Sequence, residues 1–193
     1  MKDITNNEML FVLTIFRSPK NEYNTSDIAR LLGISPMGAL KIARKLEKEN
    51  ILKSKEIGKA KIYQLNMQNN YVKQYIKFLL KREAEQAPSH VKVWINELRK
   101  IKNADVAILF GSILRRKDVN DIDVLLITSQ KKFSKLKKEV ENVNLINIKR
   151  LHPMYQSKKD ITENIKQEHK ALLNAIKGIV AFGEDKFIDL IEE

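Results

Sequence analysis

Hydrophobic residues in the first third of the chain recur every three or four positions, which is the spacing of one face of a helix. In a predicted first helix they are Met9, Leu10, Val12, Leu13 and Phe16. Thr25 is predicted to cap a second helix, which Gly33 ends because glycine adopts the left-handed conformation of a helix stop. The inward face of that helix is predicted to consist of Ile28, Leu31 and Leu32.

A third helix and a hairpin follow. Ser35 is predicted to cap the helix and Pro36 to take its first position, where a missing N–H costs nothing. Its predicted inward residues are Leu40, Ala43 and Leu46. Residues 51–57 and 60–65 read as strands joined at Gly58-Lys59. Three helices and a hairpin are the order of a winged helix-turn-helix, and the segment resembles winged-helix regulators.

Lysine is concentrated on the polar faces of these elements. One outward stripe of the third helix is predicted to contain Met37, Lys41, Arg44, Lys45 and Lys48. Lys53, Lys55, Lys59 and Lys61 alternate along the hairpin, which predicts one basic face on the wing. A helix in the major groove with lysines on flanking phosphates would bind double-stranded DNA. The predicted DNA-binding residues are Met37, Lys41, Arg44, Lys45, Lys48, Lys59 and Lys61. A solvated lysine-rich face and a protein-binding module remain alternatives.

The middle of the chain reads as a linker helix. Residues 67–88 separate a predicted winged helix-turn-helix domain, residues 1–66, from a second domain, residues 89–193. The linker carries an apolar stripe made of Val72, Tyr75, Ile76, Leu79 and Leu80. Such a stripe must pack on something, so it predicts contact with a neighbouring domain or with a second copy in a homodimer.

Composition narrows the class of partner. The 193 residues carry a formal net charge of +12 and are 43% hydrophobic, which favours polyanionic partners and suffices for real cores. Cysteine is absent, which excludes disulfides, thiolate metal sites and cysteine nucleophiles. No apolar run approaches membrane-spanning length, so we expect a cytoplasmic protein without a membrane partner.

The second half alternates strand-like and helix-like segments. Strands are predicted at residues 105–110, 122–128, 143–151 and 178–182, with helices at residues 89–101, 131–141, 157–176 and near the C-terminus. Together with the first half, this pattern predicts an α/β (α+β) chain whose second domain is a small mixed sheet with helices packed on it.

A glycine-serine pair and two closely spaced carboxylates lie between the first two of these strands. Gly111-Ser112 follows one strand, and Asp121-Ile122-Asp123 opens the next. Because a strand alternates its side chains, Asp121 and Asp123 are expected on one side, with Ile122 and Val124 in the core. Paired carboxylates suit Mg²⁺, while Gly111 and Ser112 suit phosphate through a close backbone and a hydroxyl donor.

This spacing and its apolar flanks resemble the nucleotidyltransferase superfamily related to DNA polymerase beta, in its minimal branch. The resemblance implies that Asp121 and Asp123 are catalytic and bind Mg²⁺ or Mn²⁺. Gly111 and Ser112 would hold ATP or another nucleoside triphosphate, with help from Arg115, Arg116 and Lys117. The reaction implied is AMP transfer to a protein or other hydroxyl, and the implied partners include a protein acceptor or a toxin-like protein. The three cations could equally be a solvated loop.

Active members of that family carry a third carboxylate on the next strand. The predicted strand Asn142–Arg150 contains no acid, and Asn144 or Asn147 would occupy the position. An amide cannot usefully accept a proton. Possible substitutes from outside the strand are Glu139, Glu141 and Asp160, while His90, His152 and His169 read as structural. The alternative function is therefore a transcription regulator whose second domain is weakly active or inactive and only binds nucleotide.

Overall fold

The computed structural model describes residues 3–58 and 60–192. The chain divides into two compact units, the first reaching Leu79 and the second running from Leu80 to Ile191. Each contains helices and a sheet, so the predicted α+β fold class is confirmed. The predicted boundaries after residues 66 and 88 stay predictions. No helix among the described residues is both long and apolar enough to cross a bilayer.

The first unit is a winged helix-turn-helix. It contains helices α1 (Asn6–Phe16), α2 (Thr25–Leu32) and α3 (Pro36–Lys48), then strands β1 (Leu52–Ile57) and β2 (Ala60–Leu65). The two strands pair antiparallel as the predicted hairpin. Helix α4 (Asn70–Gln86) follows and extends past the division between the units. Its predicted apolar stripe is buried within the chain, so the stripe itself does not call for a second copy; the homodimer stays a prediction.

Local side-chain hydrogen bonds fix the ends of α2 and α3. The Asn24 side chain accepts from the Asp27 amide at 3.0 Å, so Asn24 caps α2 and the prediction of Thr25 was wrong by one residue. Gly33 ends α2 with φ of 65°, as predicted. Ser35 accepts from the Gly38 amide at 3.1 Å, and Pro36 opens α3, also as predicted. The turn between the two helices is therefore closed by capping on both sides.

Two residues of the predicted core of the first unit are exposed, and Leu32 and Leu40 are only partly buried. Leu10 and Leu31 are exposed, although the pattern placed both inside. Helix α2 is only eight residues long and buries Ile28 and Ala29, so the small Ala29 takes the place assigned to a leucine. The side chains that are fully buried here include Phe11, Leu13, Ile28, Leu46 and Ile51.

The second unit builds one four-stranded sheet. Its elements are α5 (Ser89–Leu98), β3 (Val106–Leu109), a 3₁₀ turn (Gly111–Leu114), β4 (Asp121–Ile127), α6 (Phe133–Ile146), β5 (Arg150–Gln156), α7 (Lys158–Lys166), α8 (Lys170–Ala175), β6 (Ile179–Phe182) and α9 (Glu184–Glu192). The strand order is β5-β4-β3-β6, with β4 and β5 parallel and the other pairs antiparallel. The sheet is mixed, as predicted. Its likeness to a nucleotidyltransferase stays a prediction.

One face of this sheet carries the main core of the unit. Ile122, Val124 and Leu126 of β4 are buried in one cluster with side chains from α5 and α6, including Trp94 and Leu136. The alternation predicted for β4 is therefore confirmed on its inward side.

The predicted strand at residues 143–151 is wrong. Helix α6 continues through Ile146, because Leu136, Val140 and Val143 are buried at helical spacing, and β5 begins only at Arg150. The predicted helix at residues 157–176 is interrupted at Glu168, whose φ is 55°, and forms α7 and α8. The shift of β5 changes which residues reach the neighbourhood of Asp121 and Asp123.

Strand β5 lies at an edge of the sheet, and two of its backbone positions cannot donate a hydrogen bond to a further strand. The Leu151 amide donates to the Asn144 Oδ1 atom at 2.7 Å instead of to a strand. Pro153, two residues further along, has no N–H to offer. A proline fits here because the backbone position of Pro153 faces away from β4, where no neighbouring strand needs a hydrogen-bond donor.

Candidate functional site

Two carboxylates open β4 on one side of the strand. Asp121 is exposed and Asp123 is partly buried, while the intervening Ile122 and the following Val124 are completely buried. The strand therefore presents both aspartates away from the core, as the alternation predicted.

Gly111 packs directly against one of these carboxylates. Its φ is 80°, and a Cβ atom there would overlap Asp123 Oδ2 and lie 3.0 Å from Asp123 Cγ. The Phe110 amide donates to the Asp123 carbonyl oxygen at 3.1 Å, which fixes the turn against β4. The structure thus brings together Gly111 and Asp123, which lie twelve residues apart in the sequence.

His152 is the residue on β5 that lies beside Asp123. In the parallel register Asp121 is opposite Arg150 and Asp123 is opposite His152. The His152 Nδ1 atom is 3.2 Å from Asp123 Oδ1, and the side chain is 79% exposed. The sequence pattern placed His152 after the strand, within reach of the rim of the site, and it was read as structural because the strand was placed too early. The signal that could have found it is the helical spacing that carries α6 to Ile146.

The amides predicted for this position have other roles. Asn144 lies within α6 and accepts from the Leu151 amide. The Asn147 side chain donates to the Val143 carbonyl at 2.9 Å at the end of the same helix. The assignment of Asn144 or Asn147 to the strand beside Asp123 was therefore wrong, because the helix extends further than predicted.

The acids considered as substitutes lie outside β5, and two of them have other partners. Glu139 accepts from the amides of Lys102 and Asn103, and Asp160 belongs to the capping box of α7. Glu141 is exposed on α6. None of the three is brought to Asp123 by a described contact.

The cationic loop after the 3₁₀ turn is exposed. Arg115 and Arg116 donate their amides to the Ser112 carbonyl, at 3.0 Å each. The Lys117 carbonyl accepts from Lys149 Nζ at 3.0 Å, which ties the loop to the start of β5. Their predicted role toward phosphate, like that of Ser112, stays a prediction.

Asp121 and Asp123 are the carboxylates on this side of β4 that could hold a cation. Among the described residues no group of three or more His, Cys, Asp or Glu side chains could hold a metal ion. Two carboxylates nevertheless fit Mg²⁺, which completes its coordination with water and substrate phosphates. A cation here would therefore depend on the bound phosphates as well as on the protein.

The outward stripe of α3 forms the second candidate surface. Met37, Lys41, Arg44 and Lys48 are all exposed along it. No ion pair to any of its three cations occurs within the described part of the chain. The stripe therefore presents positive charge to solvent along about two turns of helix, from Lys41 to Lys48.

Lys45 differs from the other cations of α3. Its Nζ atom pairs with the carboxylate of Glu8, which is buried. Burial raises the pKa of Glu8, but hydrogen bonds from Lys45 and the Thr5 amide outweigh it, so the net pKa of the carboxyl is lowered. The hydrogen bond to Glu8 correspondingly raises the pKa of Lys45. The charge of Lys45 is therefore paired within the first unit.

The wing does not have the single basic face that the alternation suggested. Lys61 lies opposite Glu56, whereas Lys53 and Lys55 lie opposite Gln64 and Ile62, on the other side of the hairpin. A two-residue turn reverses the chain, so equal spacing across it does not keep side chains on one face. Lys61 also lies 2.9 Å from Glu47 and over the ring of Tyr63. Lys59 lies outside the described residues.

No protein-family model matches the chain, and no curated protein matches its sequence. Among solved structures it is similar to the adhesin competence repressor AdcR of Streptococcus pyogenes, at 16% identity over 52% of this chain and 70% of that one, with a TM-score of 0.38. A single-residue variant of ZitR of Lactococcus lactis shows 15% identity over 52% and 64%, with a TM-score of 0.36. The winged helix-turn-helix assignment rests on the chain's own elements.

Proposed function

We propose that this protein is a DNA-binding regulator whose second unit binds a nucleoside triphosphate together with Mg²⁺ or Mn²⁺. The observation that carries the proposal is the exposed stripe Met37, Lys41, Arg44 and Lys48 on the second helix of a helix-turn-helix. A helix in this position enters the major groove, and cations along it contact phosphates. Lys45 is not part of the proposed contact surface, because Glu8 holds it.

Salt dependence of binding tests the DNA proposal. The variant K41A/R44A/K48A is titrated onto random-sequence double-stranded DNA at several salt concentrations. The slope of log K against log salt should shrink by about 2–3, since each lost phosphate contact removes about 0.9. The matched control is K131A/K135A/K138A, which removes the same charge from exposed positions of the second unit. Equal slopes for the two variants would contradict the proposal.

The nucleotide proposal rests on the packing of Gly111 over Asp123. Asp121 and Asp123 would hold the cation, while the Gly111 backbone and the Ser112 hydroxyl would contact triphosphate oxygens. When bound, the cation would neutralise phosphate charge beside these carboxylates. Arg115, Arg116 and Lys117 would add positive charge from the adjoining loop.

Calorimetry with a non-hydrolysable ATP analogue and Mg²⁺ tests this part. Asp123→Asn should weaken binding at least tenfold, because one of the two anionic cation ligands is lost. Asp118→Asn is the control, since Asp118 is an exposed carboxylate in the nearby loop. Similar affinities for these two variants would show that the nucleotide does not use the Asp121 and Asp123 pair.

Nucleotidyl transfer is a second candidate, favoured by the position of His152 beside Asp123. An acceptor hydroxyl would attack the α-phosphorus of ATP, forming a new P–O bond as pyrophosphate leaves and the hydroxyl proton passes to a base. His152 offers an imidazole nitrogen at the strand position where no carboxylate is present. The acceptor class we propose is a protein hydroxyl, with another hydroxyl compound as the alternative.

Transfer is tested by incubating the protein with a lysate of the host, Mg²⁺ or Mn²⁺, and ATP labelled at its α-phosphate. Wild-type protein should transfer label to an acceptor, and the double variant D121N/D123N should not. H152A should lower labelling, whereas H169A, which changes an exposed histidine at the start of α8, should leave it unchanged. Equal labelling by wild type and the double variant would exclude this site as its source and leave the regulator proposal intact.

A further inference from the structure

Three large aliphatic side chains are exposed together between α6 and β5. Leu145, Ile146 and Ile148 are 82%, 72% and 103% exposed, and we call them the aliphatic patch. They lie within four consecutive residues, so together they present roughly a few hundred Å² of apolar surface. Single exposed leucines are ordinary in proteins, but a contiguous cluster of this size marks an interaction site.

The backbone that carries the aliphatic patch is held at both ends. Asn147 Nδ2 donates to the Val143 carbonyl at 2.9 Å and closes the end of α6. The Leu151 amide donates to Asn144 at 2.7 Å and anchors the start of β5. These bonds hold the patch outward while its neighbours Val143 and Leu151 are buried. A preorganised apolar projection loses little conformational freedom when it binds.

Cations lie on the C-terminal side of the aliphatic patch. Lys149 and Arg150 follow it directly, and Lys149 bonds the Lys117 carbonyl at 3.0 Å, which brings the cationic 115–117 loop alongside. The register places Arg150 opposite Asp121, so the patch adjoins the candidate site. A second copy on a two-fold axis would bring these cations against their own equivalents, which disfavours self-association.

We propose that the aliphatic patch docks a separate protein that offers an apolar cleft bordered by carboxylates. Buried aliphatic side chains would supply the anchor, and Lys149 with the 115–117 loop would select an acidic rim. A protein can also place individual cations opposite Asp118 and Glu141, the exposed carboxylates nearby. An anionic membrane would meet those carboxylates with like charge. The proposal does not require nucleotide binding or transfer at the neighbouring site.

Photo-crosslinking in the host, with the full-length chain, tests the proposal. A benzophenone amino acid replaces Ile146 in one strain and Val93 in another. Val93 is the matched control, since it is 56% exposed on α5 of the same unit. The expected result is one discrete protein crosslinked from position 146 and not from position 93. Crosslinks only to lipid, only to a second copy of the chain, or to nothing would each overturn the proposal.

The crosslinked protein is then identified, purified and titrated against the full-length chain. The variant I146N/I148N should weaken binding at least tenfold, since burial of each aliphatic side chain contributes to the anchor. V93N should bind with the affinity of the wild type. Lys149→Glu should also bind more weakly than the wild type, and the difference in affinity should grow as the salt concentration is lowered. Co-sedimentation with vesicles of phosphatidylglycerol and phosphatidylcholine should show no patch-dependent binding. Unchanged affinity of I146N/I148N, or patch-dependent vesicle binding, would refute the proposal.

Discussion

Gly111 shows how much a single residue can require of its surroundings. Its left-handed φ of 80° and the closeness of Asp123 are two separate reasons why another side chain does not fit. From its pairing with Ser112, the sequence predicted that the backbone of this glycine approaches a phosphate closely, and that stays a prediction. It could not indicate that the neighbour is Asp123, because that contact depends on the fold of the turn back onto β4.

Gly111→Ala is predicted to cost about 2–4 kcal/mol in the free energy of unfolding, from left-handed strain plus overlap with Asp123. Urea denaturation measures it. Gly58→Ala is the control, because Gly58 has φ of 60° with no atom within 4 Å of an added Cβ. It carries the strain alone and should cost about 1 kcal/mol. Equal losses of unfolding free energy in the two variants would contradict the prediction, because they would mean that the Asp123 side chain moves away from the new Cβ atom without cost.

Glu8 is a second residue whose contacts predict a pH dependence. Its pKa is lowered in the folded state from an ordinary value of 4.5, so its contribution to stability is present above about pH 4.5. That contribution is lost as the pH falls through the folded-state pKa. Glu8→Gln should remove about 1–3 kcal/mol at pH 7 and flatten the acid side of the stability curve. Asp3→Asn, an exposed carboxylate, should leave the curve unchanged in urea titrations from pH 3 to 7.

At the scale of elements, periodicity predicted the helices of the first unit and the strands around the motif. It failed at residues 143–151, where β-branched and aliphatic residues favour a strand locally. Burial of Leu136, Val140 and Val143 on one face keeps this segment helical. The true strand contains Pro153, which argues against a strand unless its edge position is known. Both errors come from tertiary contacts that a local pattern does not contain.

Ser35→Ala is predicted to destabilise the first unit by about 1 kcal/mol, because the Gly38 amide at the start of α3 loses its acceptor. Thermal unfolding measures the change. Ser134→Ala is the control: this exposed serine lies in the first turn of α6, whose start has no side-chain cap hydrogen bond to lose. The helix cap would be dispensable if Ser35→Ala unfolded at the wild-type temperature.

At the scale of the whole molecule, the chain carries two candidate surfaces in two compact units. The net charge of the chain indicated polyanionic partners, but it could not indicate which unit binds which partner. The structure assigns the exposed cations of α3 to one unit and the Asp121 and Asp123 pair to the other. The proposed ligands should therefore stabilise different parts of the chain.

Hydrogen exchange of the full-length chain is predicted to separate the two ligands. The ATP analogue with Mg²⁺ at about 100 times its dissociation constant should add up to about 2.7 kcal/mol of protection in β3 and β4. Random-sequence DNA should instead protect α2 and α3. At the same analogue concentration, Asp123→Asn should lower the first effect by about 1.3 kcal/mol or more and leave the second unchanged. Protection of the same segments by both ligands would contradict separate surfaces.

The outer side of β5 has a consequence for the behaviour of the protein at high concentration. Asn144 covers one of its amides and Pro153 removes another, so a strand from a neighbouring molecule finds no regular ladder to extend. Sheet growth from chain to chain, the first step toward amyloid, is blocked on this side by two side chains. The protein can therefore expose the aliphatic patch for binding, a few residues before β5, without aggregating through this strand.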